Sequence, residues 1–184
     1  MDCSSMSSTA TLPDPERAPP ERAPLQQAAT TSGADLHWRA LERLYASAPI
    51  NHLFRSRLAI PGEGRAQIRF GIDPAVFHAA GAAHGTVYFK MLDDAAFYAA
   101  NSLVTDRFLL TTSFNLHFSK PVRAGEVVAE GRWISGRRRV FVAEARLIDS
   151  EGDEIGRGTG TFMKSRMALS GLAGYAACAP PQDG

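Results

Sequence analysis

The chain has 184 residues, is 45% hydrophobic and is nearly neutral, with a formal charge of +1. That is enough for one globular domain with tails, and too little basic excess for a nucleic-acid partner. No apolar run approaches the ~20 residues of a membrane span, and Met1-Asp2-Cys3-Ser4-Ser5 lacks the basic-then-apolar order of a secretory signal. No membrane partner and a cytoplasmic location are therefore expected. Cys3 and Cys178 lie near opposite ends of the chain, an arrangement that suits neither a disulfide framework nor a metal site.

In chain order, residues 1–34 are rich in Ser, Thr, Ala and Pro and contain the near-repeat Pro15-Glu16-Arg17-Ala18-Pro19, Pro20-Glu21-Arg22-Ala23-Pro24. Such composition buries too little surface to offset chain entropy, so a disordered tail is expected. Asp35 is an N-cap candidate for a helix with Leu36, Ala40, Leu41, Leu44, Tyr45 and Ala48 on one face, stopped by Pro49. Arg65 to Ile72 alternates as a half-buried strand. A loop, Asp73 to Ala83, carries Pro74 and Gly81 and leads to His84-Gly85. From Gly85 to Asn101 the residues Val87, Tyr88, Met91, Leu92, Ala95, Ala96 and Ala99 recur at helical spacing without a proline. A helix this apolar is buried, yet it carries Asp93-Asp94. An ionised carboxylate there costs several kcal/mol unless it is paired or hydrogen-bonded.

Thr111 to Val122 alternates again and is ended by Pro121 and Gly125. Three further strands are expected near Glu126 to Ile134, Arg138 to Ile148 and Glu154 to Lys164, with turn signals at Ser135-Gly136 and Ser150-Glu151-Gly152-Asp153. Residues 169–184 read as a second flexible tail, which leaves one domain over 35–168. Strands joined by short turns pair antiparallel, and one helix covers one face of their sheet. An α+β fold follows, with an antiparallel sheet wrapped around one long central helix and an extra N-terminal helix. Val140, Val142 and Ile148 are left on the outer face, so a homo-oligomer is expected.

Three stretches carry a resemblance. His84-Gly85-Thr86-Val87-Tyr88-Phe89-Lys90-Met91-Leu92-Asp93, then Asn115-Leu116-His117-Phe118, then Lys120-Pro121-Val122-Arg123-Ala124-Gly125-Glu126 resemble the hotdog-fold acyl-CoA thioesterases. The PaaI-like branch is the most similar, with its helix opening H-G-G, an Asp nine residues after the His and a strand ending P-V-R-A-G. The likeness covers roughly residues 50 to 165. It implies a hotdog fold, an acyl-CoA substrate and a homodimer or homotetramer. It also implies hydrolysis without metal or redox cofactor, CoA entering only as part of the substrate.

The residues add a geometric constraint. Nine residues at roughly 100° each put His84 and Asp93 about 180° apart around the helix and about 13 Å apart along it. They cannot act on one bond within one chain, so if both are catalytic the site is shared. In the hotdog family two protomers pair their sheets and set the helices side by side, which brings one helix N-terminus to the other's carboxylate. On that resemblance Gly85 is the oxyanion donor, Asp93 the general base or nucleophile, and His84 an aid to the leaving thiolate or to substrate positioning. By register from Pro121, Thr111 falls where related enzymes carry a Ser or Thr that orients water. His78 stands where the family often has Asn, Gly81 is retained, and Thr86 replaces the second glycine of H-G-G; all three are candidate substrate contacts.

Other readings stand beside these. Adjacent carboxylates point about 100° apart, so only one faces the site, and Asp94 is assigned to solvent or a salt bridge. Thr111 could be an ordinary strand-edge residue, and Asn115 and His117 the polar face of a strand. Arg137, Arg138 and Arg139 are either a solvated hairpin tip or a clamp for CoA phosphates. Three function classes remain open. The first is thioester hydrolysis, with the acyl group beside Tyr88, Phe89, Phe97 and Tyr98. The second is a hotdog-fold hydratase or dehydratase using His78 and Asp93, although the Asn-Pro that marks hydratases is absent. The third is a non-catalytic acyl-CoA-binding module.

Overall fold

The computed structural model describes residues 32–176. Of the tails expected over 1–34 and 169–184, residues 1–31 and 177–184, including Cys3 and Cys178, lie outside the described residues, whereas Ser32 to Ala34 belong to the start of the first helix. Helix α1 spans Gly33–Ser47. Its cap is Ser32 rather than Asp35: the Ser32 hydroxyl accepts the Asp35 N–H at 3.1 Å, and the Asp35 carboxylate accepts the Ser32 N–H at 3.0 Å. Both residue types cap well alone, and the reciprocal box places the cap three residues before the acid. α1 ends just before Pro49, as expected, but Pro49 also has a second role. It opens a second short helix, α2 (Pro49–Phe54), as an N-terminal proline, where its missing N–H is not needed.

Six strands form one antiparallel sheet: β1 (Arg57–Gly62), β2 (Arg65–Gly71), β3 (Arg107–Phe118), β4 (Glu126–Ser135), β5 (Val140–Ile148) and β6 (Glu154–Ala168). Their order is β1-β2-β4-β5-β6-β3. The chain therefore has the expected α+β architecture, with β1 and α2 as additional elements. Only Ile60 of β1 is fully buried, so the strand shows no alternation to read. β3 starts earlier and stops earlier than expected. Residues 119–125 leave the sheet, and the Val122 N–H donates to the Tyr88 hydroxyl at 2.9 Å instead.

The central helix α3 (Gly85–Asn101) keeps the predicted limits. Met91, Leu92, Ala95, Ala96 and Ala99 are 0% exposed and pack on the inward residues of the sheet, Ile68, Ala129, Ala143 and Leu147 among them. At Gly131 of β4 the helix and sheet backbones nearly touch: a Cβ there would lie 2.0 Å from the Ala95 carbonyl oxygen. The fold also continues past residue 168. Leu169 is fully buried, and α4 (Ala173–Ala176) packs on α1 where Gly174 meets Ser47, so residues 169–176 are not the flexible tail expected there.

The outer face of the sheet is more polar than anticipated. Val140 is exposed, Val142 and Ile148 are half-buried, and the cross-strand pairs Arg132–Glu144 and Arg146–Glu130 lie among them. Such exposed pairs add little stability. β3 is an edge strand twelve residues long, bonded to β6 on one side and to no described strand on the other.

Candidate active site

The N-terminus of α3 is built by its own sequence. His84 is the N-cap, with its Nδ1 accepting the Thr86 N–H at 3.2 Å and lying 3.0 Å from the Thr86 hydroxyl. A neutral imidazole that accepts through Nδ1 carries its proton on Nε2, so the ring presents an N–H outward. The His84 N–H is taken by the Val76 carbonyl at 2.9 Å and the Val87 N–H by the His84 carbonyl at 2.9 Å. The Gly85 N–H is left without a partner among the described residues. It is an unsatisfied first-turn donor at the positive end of the helix dipole. A Cβ at Gly85 would sit 3.2 Å from the Phe118 ring, so glycine lets the helix start lie close against β3.

The carboxylate doublet splits into two roles. Asp94 pairs with Lys90 one helical turn earlier, and the Lys90 ammonium also donates to Asn51 Oδ1 at 2.6 Å. That ammonium lies 5.4 Å and 5.5 Å from the ring centroids of Tyr45 and Phe54. Burial raises the Asp94 pKa, and Lys90 opposes the rise. Asp93 has no such cation in contact: its Oδ1 accepts the Thr111 hydroxyl from β3 at 3.0 Å. Burial, with a smaller contribution from the Asp94 charge, raises the Asp93 pKa to about 6, while the Thr111 hydrogen bond and Lys90 pull it down. A carboxyl titrating near 6 is poised for proton transfer at neutral pH.

A cavity of about 440 Å³ opens beside Asp93, walled by Ile50, Phe54, Thr86, Phe89 and Tyr98. Two of the four aromatic residues expected around an acyl group are in this wall. The other two are in the core: Tyr88 stacks on Phe118 with centroids 5.2 Å apart, and Phe97 is 7% exposed against Phe108 and Phe162. Helix α2 supplies the facing wall and was missed in the sequence. Its signal was there, since Pro49 at the first helical position is followed by Ile50, Leu53 and Phe54 at i, i+3, i+4 spacing.

The remaining candidates scatter. His78 is exposed on the loop before α3, with its Nδ1 accepting the Ala80 N–H at 3.0 Å, and it does not line the cavity. Its proposed partnership with Asp93 does not assemble within one chain. Gly81 takes φ +75°, which allows the turn its N–H closes onto the His78 carbonyl at 2.9 Å. Both residues shape the entry to the helix. Arg137 lies 4.6 Å over the Trp133 ring and 3.7 Å from Glu63, whereas Arg138 and Arg139 are exposed with no ion pair among the described residues. Asn115 and His117 are exposed along β3, as a polar strand face should be. Asp149, Glu151 and Asp153 gather around the Lys120 ammonium at 2.8, 3.0 and 2.8 Å, so a lysine is the cation that cluster holds.

Comparison with known proteins agrees with this architecture. Residues 80–155 match the Thioesterase superfamily. A Saccharolobus solfataricus protein named provisionally as an esterase is 26% identical over 104 residues, 56% of this chain and 69% of its own length. The Escherichia coli PaaI protein of the phenylacetic acid degradation operon superposes with a TM-score of 0.68 at 16% identity, covering 74% of this chain and 99% of that one. A Haemophilus influenzae thioesterase superposes with a TM-score of 0.61 at 19% identity, covering 68% and 88%. The protein is thus a hotdog-fold chain of PaaI-like form, and its segment from the loop before the central helix to the start of β6 matches the thioesterase superfamily.

Proposed function

We propose that the protein hydrolyses an acyl-CoA thioester to a carboxylic acid and free CoA, at a site completed by a second copy of the chain. The observation that carries this reading is the hydrogen bond between Asp93, which lines the cavity, and Thr111 on β3, one of the two edge strands of the sheet. Asp93 and the unpartnered Gly85 N–H are eight residues apart, about 12 Å along one helix, too far to act on one bond within one chain. Antiparallel pairing of two β3 edges sets two central helices side by side and brings Gly85 of the partner subunit toward Asp93. Unpaired strand edges readily accept such a partner.

The chemistry then needs only groups already described. Thr111 donates its hydrogen to Asp93, and its oxygen lone pairs are left to accept from a water. Asp93 takes a proton from that water as the oxygen attacks the thioester carbonyl. The carbonyl oxygen gains charge against the N–H of Gly85 of the partner subunit at a helix N-terminus, where a preorganised donor is most effective. The C–S bond breaks, and the departing thiolate takes up the proton held by Asp93. His84, with its outward Nε2–H, is positioned to bind the substrate's polar arm at the same helix start.

Release of free thiol from a panel of aryl, short and long acyl-CoA substrates tests this reading, and no release from any of them rejects it. Two further outcomes follow from the geometry. Thr111→Val removes a hydrogen bond that lowers the Asp93 pKa, so the ascending limb of kcat/KM against pH moves upward from about 6. An unshifted limb means that the hydroxyl does not act through Asp93. Replacing Arg138 and Arg139 together by alanine is expected to raise KM for a CoA thioester by roughly 10-fold through lost phosphate contacts. The control is an N-acetylcysteamine thioester, which carries no phosphate, and an equal loss on both substrates rejects the clamp.

A further inference from the structure

We infer that helix α2 is the acyl-selecting wall of the site, with Ile50 and Phe54 as specificity-determining residues for an apolar acyl group of medium size. This rests on the hydrolase reading above and goes beyond it in naming which part of the chain meets the acyl group. The cavity that contains Asp93 has two walls, one on α3 and one on the α1–α2 elbow. A thioester carbonyl in reach of Asp93 has its CoA arm on the side of a helix N-terminus. Its acyl tail is left this cavity.

Three observations support the assignment. Ile50 and Phe89 line the cavity yet remain 53% and 42% exposed, so large apolar side chains stand at its mouth with none of the chain's described residues covering them. Bare apolar surface beside a titrating carboxylate fits an apolar ligand. Second, α2 is bolted in place: Asn51, 5% exposed, donates through Nδ2 to the Tyr45 carbonyl at 2.7 Å and accepts Lys90 through Oδ1 at 2.6 Å. A helix of six residues has little stability of its own, so its position depends on this link between α1 and α3. Third, the Lys90–Asp94 pair is internally neutralised and only 10% and 23% exposed, so the inner end of the cavity offers no unpaired charge to an acyl tail. A volume of about 440 Å³ is near the lower end of small-molecule sites, which span roughly 300–1,000 Å³. It suits a medium chain or a single ring rather than a long fatty acyl chain. Helix α2 also lies outside residues 80–155, the part matching the superfamily, so the selecting wall belongs to the less shared part of this chain.

The test measures kcat/KM for acetyl-, hexanoyl-, phenylacetyl- and palmitoyl-CoA by thiol release. The intact protein is expected to favour the hexanoyl and phenylacetyl substrates over the other two. Ile50→Trp fills the cavity mouth from an exposed position, so it threatens folding little, and it should lower the hexanoyl-to-acetyl ratio on the order of 10-fold. Phe54→Ala, which enlarges the same wall, should shift preference toward palmitoyl-CoA. Leu53, on the same helix but 76% exposed and outside the cavity lining, provides the control, and Leu53→Trp should keep the ratio of the intact protein. Equal ratios in the intact protein and in the Ile50 and Phe54 variants overturn the assignment, as does the same fall in ratio for Leu53→Trp. No thiol release by the intact protein from any substrate overturns the hydrolase reading itself, and the inference with it.

Discussion

Asp93→Asn is expected to lower kcat/KM for thioester hydrolysis on the order of 10³-fold, the scale set by removing a positioned general base. Asparagine keeps the size of the side chain and can still accept the Thr111 hydroxyl, so the loss reports the missing base rather than a collapsed site. In the intact protein, activity should rise with pH through about 6, where buried Asp93 ionises, rather than through the usual carboxylate range near 4. The same shift has a stability consequence of opposite sense. A carboxyl whose folded pKa lies above its unfolded value holds its proton more tightly when folded, so its contribution becomes unfavourable as pH climbs from about 4 through 6. Above that window it costs on the order of 3 kcal/mol. Asp93→Asn should therefore be strongly impaired and also more stable than the intact protein at pH 8, with the difference vanishing at pH 4. Denaturant midpoints at the two pH values read this out. A variant that keeps activity within about 10-fold of the intact protein, or that gains stability equally at both pH values, contradicts the assignment.

Gly131→Ala should destabilise the fold by more than ~3 kcal/mol or prevent its recovery in soluble form. The added Cβ would lie 2.0 Å from the Ala95 carbonyl oxygen and 2.3 Å from its carbon. Both are backbone atoms of the central helix, so no side-chain rotation relieves the clash. Nor can the helix back away, because Met91, Leu92, Ala95, Ala96 and Ala99 are all 0% exposed against the sheet, and close-packed interiors transmit such strain. Gly71, at the end of β2, is the matched control: a Cβ there meets nothing within 4 Å, and Gly71→Ala should change stability by less than ~1 kcal/mol. Urea midpoints for the two variants decide the matter. A loss at Gly131 no larger than at Gly71 would mean that the helix sits farther from β4 than described.

Much of the frame was legible in the residues. The limits of α3 could be read because its apolar period is helical over the whole length and His84 caps it locally. β2, β4 and β5 alternate, and turns at Gly136 and Gly152, both at positive φ, punctuate the last three strands. α1 was read with its cap three residues late, because Ser32 and Asp35 cap each other. α2 escaped because Pro49 reads as the stop of one helix as readily as the start of the next, and β1 because it has one fully buried residue. β3 was displaced because alternation persists to Val122, where pairing had already stopped at Phe118.

Within the site, the sequence by itself determined what depends on neighbours along the chain: the capped helix start at His84-Gly85 and the half-turn offset that points Asp93 away from it. The Lys90–Asp94 pair, four residues apart on one helix, is local as well; tertiary structure alone decided what meets the doublet from outside α3. Asn51 reaches Lys90 from 39 residues away and Thr111 reaches Asp93 from 18, and no periodicity encodes either approach. The same holds for the cavity. Its second wall exists only because a one-and-a-half-turn helix after Pro49 folds back onto α3, and it is held there by buried polar contacts whose strength depends on desolvation that only the packed chain provides.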